Sequence, residues 1–97
     1  TPDELSAVPA NRIAYAQLCD ASGSTPQLDD LPREARGDRL ALGHGVIPLA
    51  DYLNVIPDGT QLVIETPVAL EMHLPIRQRL QLTADASSTF FRENGYA

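Results

Sequence analysis

Polar side chains that carry oxygen atoms follow two short apolar segments of this chain, at the carboxyl end of each. Gln17 and Asp20 lie at the end of the segment 12–20, and Glu65 lies at the end of the segment 61–66. Carboxylate and amide oxygens are the ligands that a hard divalent cation prefers. Neighbouring parallel strands lie about 4.8 Å apart, so side chains at adjacent strand ends can meet on one ion. The pattern indicates Gln17 and Glu65 as candidate metal ligands; the alternative is a hydrogen-bonded Gln and a Glu paired with an Arg.

Three further polar residues are candidate substrate contacts, each with a plainer alternative. Asp20 can accept a hydrogen bond from a substrate hydroxyl, or it forms an Asx-turn or a helix cap. Arg39 precedes a glycine-rich segment and can hold a carboxylate or enediolate oxygen in its planar fork, or it is a solvated surface residue. His44 lies between two glycines and is either a catalytic side chain or an exposed, mobile one. The single cysteine, Cys19, fits the role of a small buried hydrophobic residue.

Helices and strands alternate around these residues. Hydrophobic spacing and the positions of Pro and Gly predict helices over 2–8, 31–36, 47–56 and 75–94, strands over 12–18 and 61–65, and an irregular segment over 67–74. Both strands are apolar enough for burial on both faces, as is typical of parallel strands covered by helices. The order indicates an α/β fold.

Composition restricts the class of protein. The net charge is -6, from 13 acidic residues against 7 basic ones, and every basic residue is Arg. This balance argues against nucleic-acid binding and gives no support for binding to an anionic membrane. The absence of Lys excludes a Schiff-base lysine from this stretch. One cysteine favours a reducing, cytoplasmic setting, and we find neither a signal peptide nor an apolar run of membrane-spanning length.

Two parallel strands leave two unpaired edges, so we expect the chain to be a fragment of a larger sheet. As an isolated polypeptide it is then expected to be inactive and poorly stable, because apolar surface is left in water.

Four segments taken in order resemble a known family: IAYAQLCDA at 13–21, EAR at 34–36, RLALGHGVIPL at 39–49 and VIETP at 63–67. Together they look like the C-terminal third of the xylose isomerase-like barrel superfamily, which includes sugar phosphate isomerases and epimerases and 3-dehydroshikimate dehydratases. A loop that usually reads Pro-Gly-Glu-Gly in this superfamily is Leu42-Gly43-His44-Gly45 in this chain. This difference puts a carboxylate role at His44 in doubt.

The resemblance implies a (β/α)8 TIM barrel, of which residues 1–97 form a partial domain of about the last two βα units. It implies one divalent metal ion (Mn, Mg, Co or Zn), with Gln17 as the third ligand and Glu65 as the fourth. Many relatives have His at the position of Gln17, and the Gln form is similar to that of the dehydroshikimate dehydratases of the group. Arg39 matches a substrate-contacting Arg of epimerase relatives, and the first two ligands are expected upstream.

The implied activity is proton abstraction next to a carbonyl of a small polyol, keto sugar or keto acid, with Glu65 as the candidate catalytic carboxylate. Isomerase, epimerase and dehydratase outcomes share most of such a site. Two alternatives from other classes stay open: a DNA-repair barrel of the endonuclease IV type, which the acidic charge disfavours, and a non-catalytic fragment. Neither nucleic acid nor membrane is expected as a partner, and homo-oligomerisation of the parent protein stays open.

Overall fold

The computed structural model describes residues 1–68 and 71–96, and their helices and strands follow the predicted order. The α-helices and strands in chain order are α1 (Pro2–Ser6), β1 (Tyr15–Leu18), α2 (Leu31–Gly37), α3 (Leu49–Val55), β2 (Gln61–Ile64) and α4 (Ile76–Glu93). Short 3-10 turns precede β1 and α2, at Ala10–Arg12 and Leu28–Asp30. Two residues of the predicted irregular segment 67–74, at positions 69 and 70, lie outside the described residues.

Reciprocal hydrogen bonds between Thr1 and Glu4 cap the N-terminus of the first helix. The Glu4 backbone N–H donates to the Thr1 hydroxyl at 3.2 Å, and the Glu4 side chain reaches back to the backbone of Thr1. This capping box satisfies donors that an isolated helix start leaves unpaired. The helix ends at Ser6, two residues short of the prediction, and the following 3-10 turn delays the start of β1 to Tyr15.

The two strands pair in parallel and in a single register. Gln17 lies opposite Val63 and Leu18 lies opposite Ile64. The ladder continues one residue further, because the Glu65 N–H donates to the Leu18 carbonyl at 3.0 Å. The α/β character expected from the sequence is therefore present, as a mixed structure of helices around two parallel strands.

The hydrophobic core lies against one face of this small sheet. Its buried residues are Leu18, Leu42, Leu49, Leu53 and Phe90. Partly buried side chains, among them Ile64 and Phe91, pack against that cluster. Burial of each such side chain contributes about 2 kcal/mol, so a core of this size supports the fold with little margin.

The opposite face of the sheet is open in the described residues, which differs from the expected burial of both faces. Tyr15 is 55% exposed, and Gln17 and Glu65 are exposed as well. Composition predicted burial because the strands are apolar, whereas observed burial depends on which elements are present to cover them.

The last helix, α4, leaves several of its apolar side chains exposed. Phe90 is buried in the core, but Ile76, Leu80 and Leu82 are exposed. The helix begins after Pro75 and ends before Gly95, whose φ of +81° is a backbone conformation that favours glycine. Within the described residues, no helix is long and apolar enough to cross a membrane.

Leu42→Ala is expected to destabilise the protein by about 2–5 kcal/mol, because Leu42 is 1% exposed and its truncation leaves a cavity in a small core. Leu28→Ala is the matched control, since Leu28 is 83% exposed. Urea denaturation followed by far-UV circular dichroism measures both changes in the free energy of unfolding. Equal midpoints for the two variants would contradict this assignment of the core.

Candidate functional site

Alternation along the paired strands places Gln17, Cys19 and Glu65 on the same face of the sheet. Gln17 lies opposite Val63, and one step beyond the last printed pair Cys19 lies opposite Glu65. Paired residues of parallel strands share a face, and side chains two positions apart along a strand do too. This is the open face, so the three side chains lie on the side of the sheet away from the core, near its carboxyl end.

A short segment, residues 38–40, crosses the carboxyl ends of both strands. Asp38 forms an antiparallel bridge with Val68, which follows β2, and Leu40 forms one with Asp20, which follows β1. The second bridge has both hydrogen bonds, at 3.0 Å from Asp20 N–H and 2.8 Å from Leu40 N–H. The backbone of Arg39 is therefore fixed on both sides at the strand ends.

The Arg39 guanidinium is held by two side chains. Its Nη2 lies 3.2 Å from Glu34 Oε2, and its Nη1 donates to Cys19 Sγ at 3.7 Å. The side chains of Arg39 and Glu34 are 29% and 18% exposed. A partly buried ion pair is screened less by water and salt than a surface pair, so this arrangement orders the Arg side chain.

Arg39 and residues at the strand ends line one open pocket of about 280 Å³, here called the strand-end pocket. Its lining residues are Gln17, Leu18, Cys19, Ala35, Arg39, Glu65 and Pro67. Three residues that the sequence marked for function (Gln17, Arg39 and Glu65) thus lie around a single cavity. Its polar groups comprise an amide, a carboxylate, a guanidinium and a thiol, a set able to bind a small ligand rich in oxygen.

Asp20 does not contribute to this pocket, which corrects its expected role as a substrate contact. Asp20 is 1% exposed, and both of its carboxylate oxygens accept hydrogen bonds from backbone N–H groups. Ala21 and Ile47 donate to Oδ1 at 2.9 and 3.0 Å, and Gly43 and Gly45 donate to Oδ2 at 3.1 and 2.9 Å. The plainer alternative, a carboxylate that organises backbone turns, describes Asp20 better.

The segment that wraps around this carboxylate, residues 42–47, is here called the Asp20 loop. A Cβ at Gly45 would overlap the Ala21 carbonyl oxygen and the Asp20 carboxylate, so the backbone approaches as closely as only glycine allows. Gly43 has a φ of +81°, and a Cβ there would also lie 3.2 Å from the Phe90 ring. The two glycines of the LGHG motif thus serve the loop's own geometry.

His44 lies apart from the strand-end pocket, so the structure does not support its expected substrate contact there. It is exposed and lines a separate cavity of about 470 Å³ beside Glu71 and Asp85. Its backbone N–H donates to the Ala41 carbonyl at 3.0 Å, which keeps the residue within the turn.

Gln17 and Glu65 are the candidate metal ligands that line the strand-end pocket. Across residues 1–68 and 71–96, no group of three or more His, Cys, Asp and Glu side chains is placed to hold a metal ion. Gln17 and Glu65 offer an amide and a carboxylate oxygen, which suits a hard cation but leaves most of its coordination sites to other donors.

Two residues around the pocket were not singled out for the site from sequence. Cys19 was interpreted as a buried hydrophobic residue, yet it is partly exposed and contacts Arg39. The strand period would have indicated it, because it lies two residues after Gln17. Glu34 has no comparable signal, since its contact with Arg39 depends on how α2 packs.

No protein-family model matches this chain, and neither the search of curated proteins nor the search of solved structures returned a match.

Asp20→Asn is expected to destabilise the protein by about 2–4 kcal/mol. The new amide nitrogen would face two backbone N–H groups that now donate to a carboxylate oxygen, so these partly buried donors would lose their acceptor. Asp29→Asn, at an exposed position, is the control for the loss of one charge. Thermal unfolding followed by circular dichroism compares them, and a melting temperature of Asp20→Asn equal to that of the control would refute the role of this carboxylate.

Gly45→Ala is expected to lower the free energy of unfolding by roughly 2–3 kcal/mol, because the added methyl group would overlap Asp20 and the Ala21 carbonyl. Gly23→Ala is the matched control: its Cβ would lie 3.6 Å from Val46, an ordinary contact. Hydrogen exchange of the Ile47 amide should accelerate in Gly45→Ala and stay unchanged in Gly23→Ala. Unchanged exchange in both variants would show that the loop tolerates a side chain at Gly45.

Proposed function

We propose that this chain forms the C-terminal part of a divalent-metal-dependent isomerase or epimerase that acts on a small polyol, keto sugar or keto acid. The observation that carries the proposal is the strand-end pocket, in which Gln17, Glu65 and Arg39 lie around one cavity. In the proposed architecture β1 and β2 are the last two strands of a (β/α)8 barrel. The open face of the sheet then corresponds to the barrel interior, and the helices to its outer layer.

The chemistry of the donors supports a hard cation. Gln17 on β1 and Glu65 directly after β2 would each supply an oxygen ligand, and both side chains are exposed. The remaining protein ligands are assigned to strands of the parent barrel that precede Thr1. When bound, the metal ion would supply charge stabilisation for an enediolate formed next to a carbonyl.

The chain's own residues would bind the substrate and move a proton. Glu65 is the candidate for proton transfer, because an exposed carboxylate at a strand end can both approach a ligand and exchange protons. Arg39 would hold a carboxylate or enolate oxygen through its fork of N–H donors. Its fixed backbone and its two side-chain contacts mean that little reorganisation is needed when the ligand arrives.

A dehydratase of the 3-dehydroshikimate type is the second candidate, favoured by an amide at position 17. The same pocket residues would then serve loss of a hydroxyl group from the substrate after proton removal. Turnover of keto sugars against dehydroshikimate by the full-length parent distinguishes the two reactions.

The metal site can be tested on this chain with Mn²⁺, whose unpaired electrons broaden nearby NMR signals even when binding is weak. Substoichiometric Mn²⁺ is expected to broaden the backbone amides of 17–19 and 65–66 first. Gln17→Ala and Glu65→Gln should each remove that selectivity. Gln78→Ala and Glu93→Gln, at exposed positions of α4, should retain it. Broadening centred elsewhere, or unaffected by the first two variants, would exclude the site.

In the full-length parent, a chelator should abolish turnover and Mn²⁺ should restore it. Glu65→Gln should lower kcat by about 100-fold or more, the usual contribution of a general acid or base. An enzyme that turns over keto substrates with its metal removed would overturn the proposed reaction class.

A further inference from the structure

Arg39 is held in place by contacts of its backbone neighbours and of its own side chain. Its neighbours Asp38 and Leu40 bridge to the segments that follow β2 and β1, respectively. One amino group of its guanidinium forms an ion pair with Glu34, and the other donates a hydrogen bond to Cys19. The strand ends fix the backbone of Arg39, and its side chain contacts both α2, through Glu34, and the residue that follows β1, Cys19.

The charges around Arg39 are arranged so that it stays available to a ligand. Glu34 lies 3.2 Å from Nη2, whereas among the described residues no ion pair within 4.0 Å joins Arg39 to Glu65, which also lines the pocket. The planar fork therefore has its intramolecular partner on the α2 side. Donors remain for an incoming oxygen, because a guanidinium has more N–H groups than these two contacts use.

We infer that Glu34 is a positioning residue: it orients the Arg39 guanidinium so that the strand-end pocket receives a ligand with a carboxylate or enolate oxygen. This inference rests on the proposed function, because it names the ligand class of the same pocket. Glu34 itself is 18% exposed and does not line the cavity, so it acts through Arg39 and not on the ligand.

The orientation of Arg39 can be measured directly, without any ligand, from the NMR signal of its side-chain Nε–H group. That signal is assigned by its loss in Arg39→Lys. Glu34→Gln should lower its order parameter and speed its exchange with water, since the ion pair is removed while the side-chain shape is kept. Asp30→Asn is the matched control: it removes one acidic charge beside the same helix, where Asp30 pairs with Arg33 at 3.6 Å on the surface.

Ligand binding provides the readout that a merely structural residue would not change. The probes are pyruvate, which has a carboxylate, and dihydroxyacetone, which is a neutral keto compound of similar size. Glu34→Gln should weaken pyruvate binding about fivefold, as expected for a misplaced charge-assisted donor, and leave the affinity for dihydroxyacetone unchanged. Asp30→Asn should leave both affinities and the melting temperature as they are in the unchanged chain.

The possible failures are distinguishable. If Arg39 is equally ordered in Glu34→Gln and pyruvate affinity is retained, the positioning role is overturned, whatever the Mn²⁺ experiment shows. If Mn²⁺ does not select Gln17 and Glu65 but Glu34→Gln still loosens Arg39 and weakens pyruvate, the metal-dependent reaction fails and the oxyanion site stands. Equal losses of pyruvate and dihydroxyacetone binding would mean that Glu34 only maintains the fold, which also overturns the inference.

Discussion

The buried carboxylate of Asp20 is the interaction on which the rest of the site depends. It accepts four backbone N–H donors, one from Ala21 and three from the Asp20 loop. A buried negative charge is costly unless it is fully hydrogen-bonded, and these donors meet that requirement. The loop they define carries Leu42 into the core, and the backbone of Asp20 pairs with Leu40. The carboxylate of Asp20 thus holds the loop that follows Arg39, while the backbone hydrogen bonds between Asp20 and Leu40 hold Arg39 at the strand ends.

The acidic residues that follow the two strands have different roles because side chains alternate along a strand. Gln17 and Cys19 point to the open face, so Asp20, one position further, turns to the face where Leu18 meets the core. Ile64 packs against the core, so the side chain of Glu65, one position further, lies on the open face and is exposed. Two carboxylates that look alike in sequence thus separate into a loop anchor and a pocket residue. The place of each carboxylate in the alternation of side chains along its strand distinguishes the two better than residue type does.

Apolar periodicity predicted the order of the elements, and the strand ends predicted that Gln17 and Glu65 lie together. Sequence reasoning also marked Arg39 as a candidate substrate contact, without a position relative to those two residues, and Arg39 lines the same pocket. It could not place Asp20 or His44, since their surroundings depend on how the Asp20 loop closes over contacts more than twenty positions apart in sequence. The contact between Glu34 and Arg39 could not be predicted for a different reason: the two residues are close in sequence, but their contact depends on how α2 packs beside the strand ends. Burial on both faces was expected from the strand composition, whereas the described elements cover one face only.

The open face links the proposed chemistry to the proposed architecture. Helices cover the face that carries Leu18, while Tyr15, Gln17 and Glu65 on the other face meet water. In water, an amide and a carboxylate hold a divalent ion weakly, and the field of Arg39 is screened. Further strands over this face would bury Tyr15, add ligands and lower the local dielectric constant, so that each polar group acts more strongly on a substrate. The barrel and the metal-dependent reaction therefore stand together: a pocket of this composition has catalytic value only where something else covers the sheet.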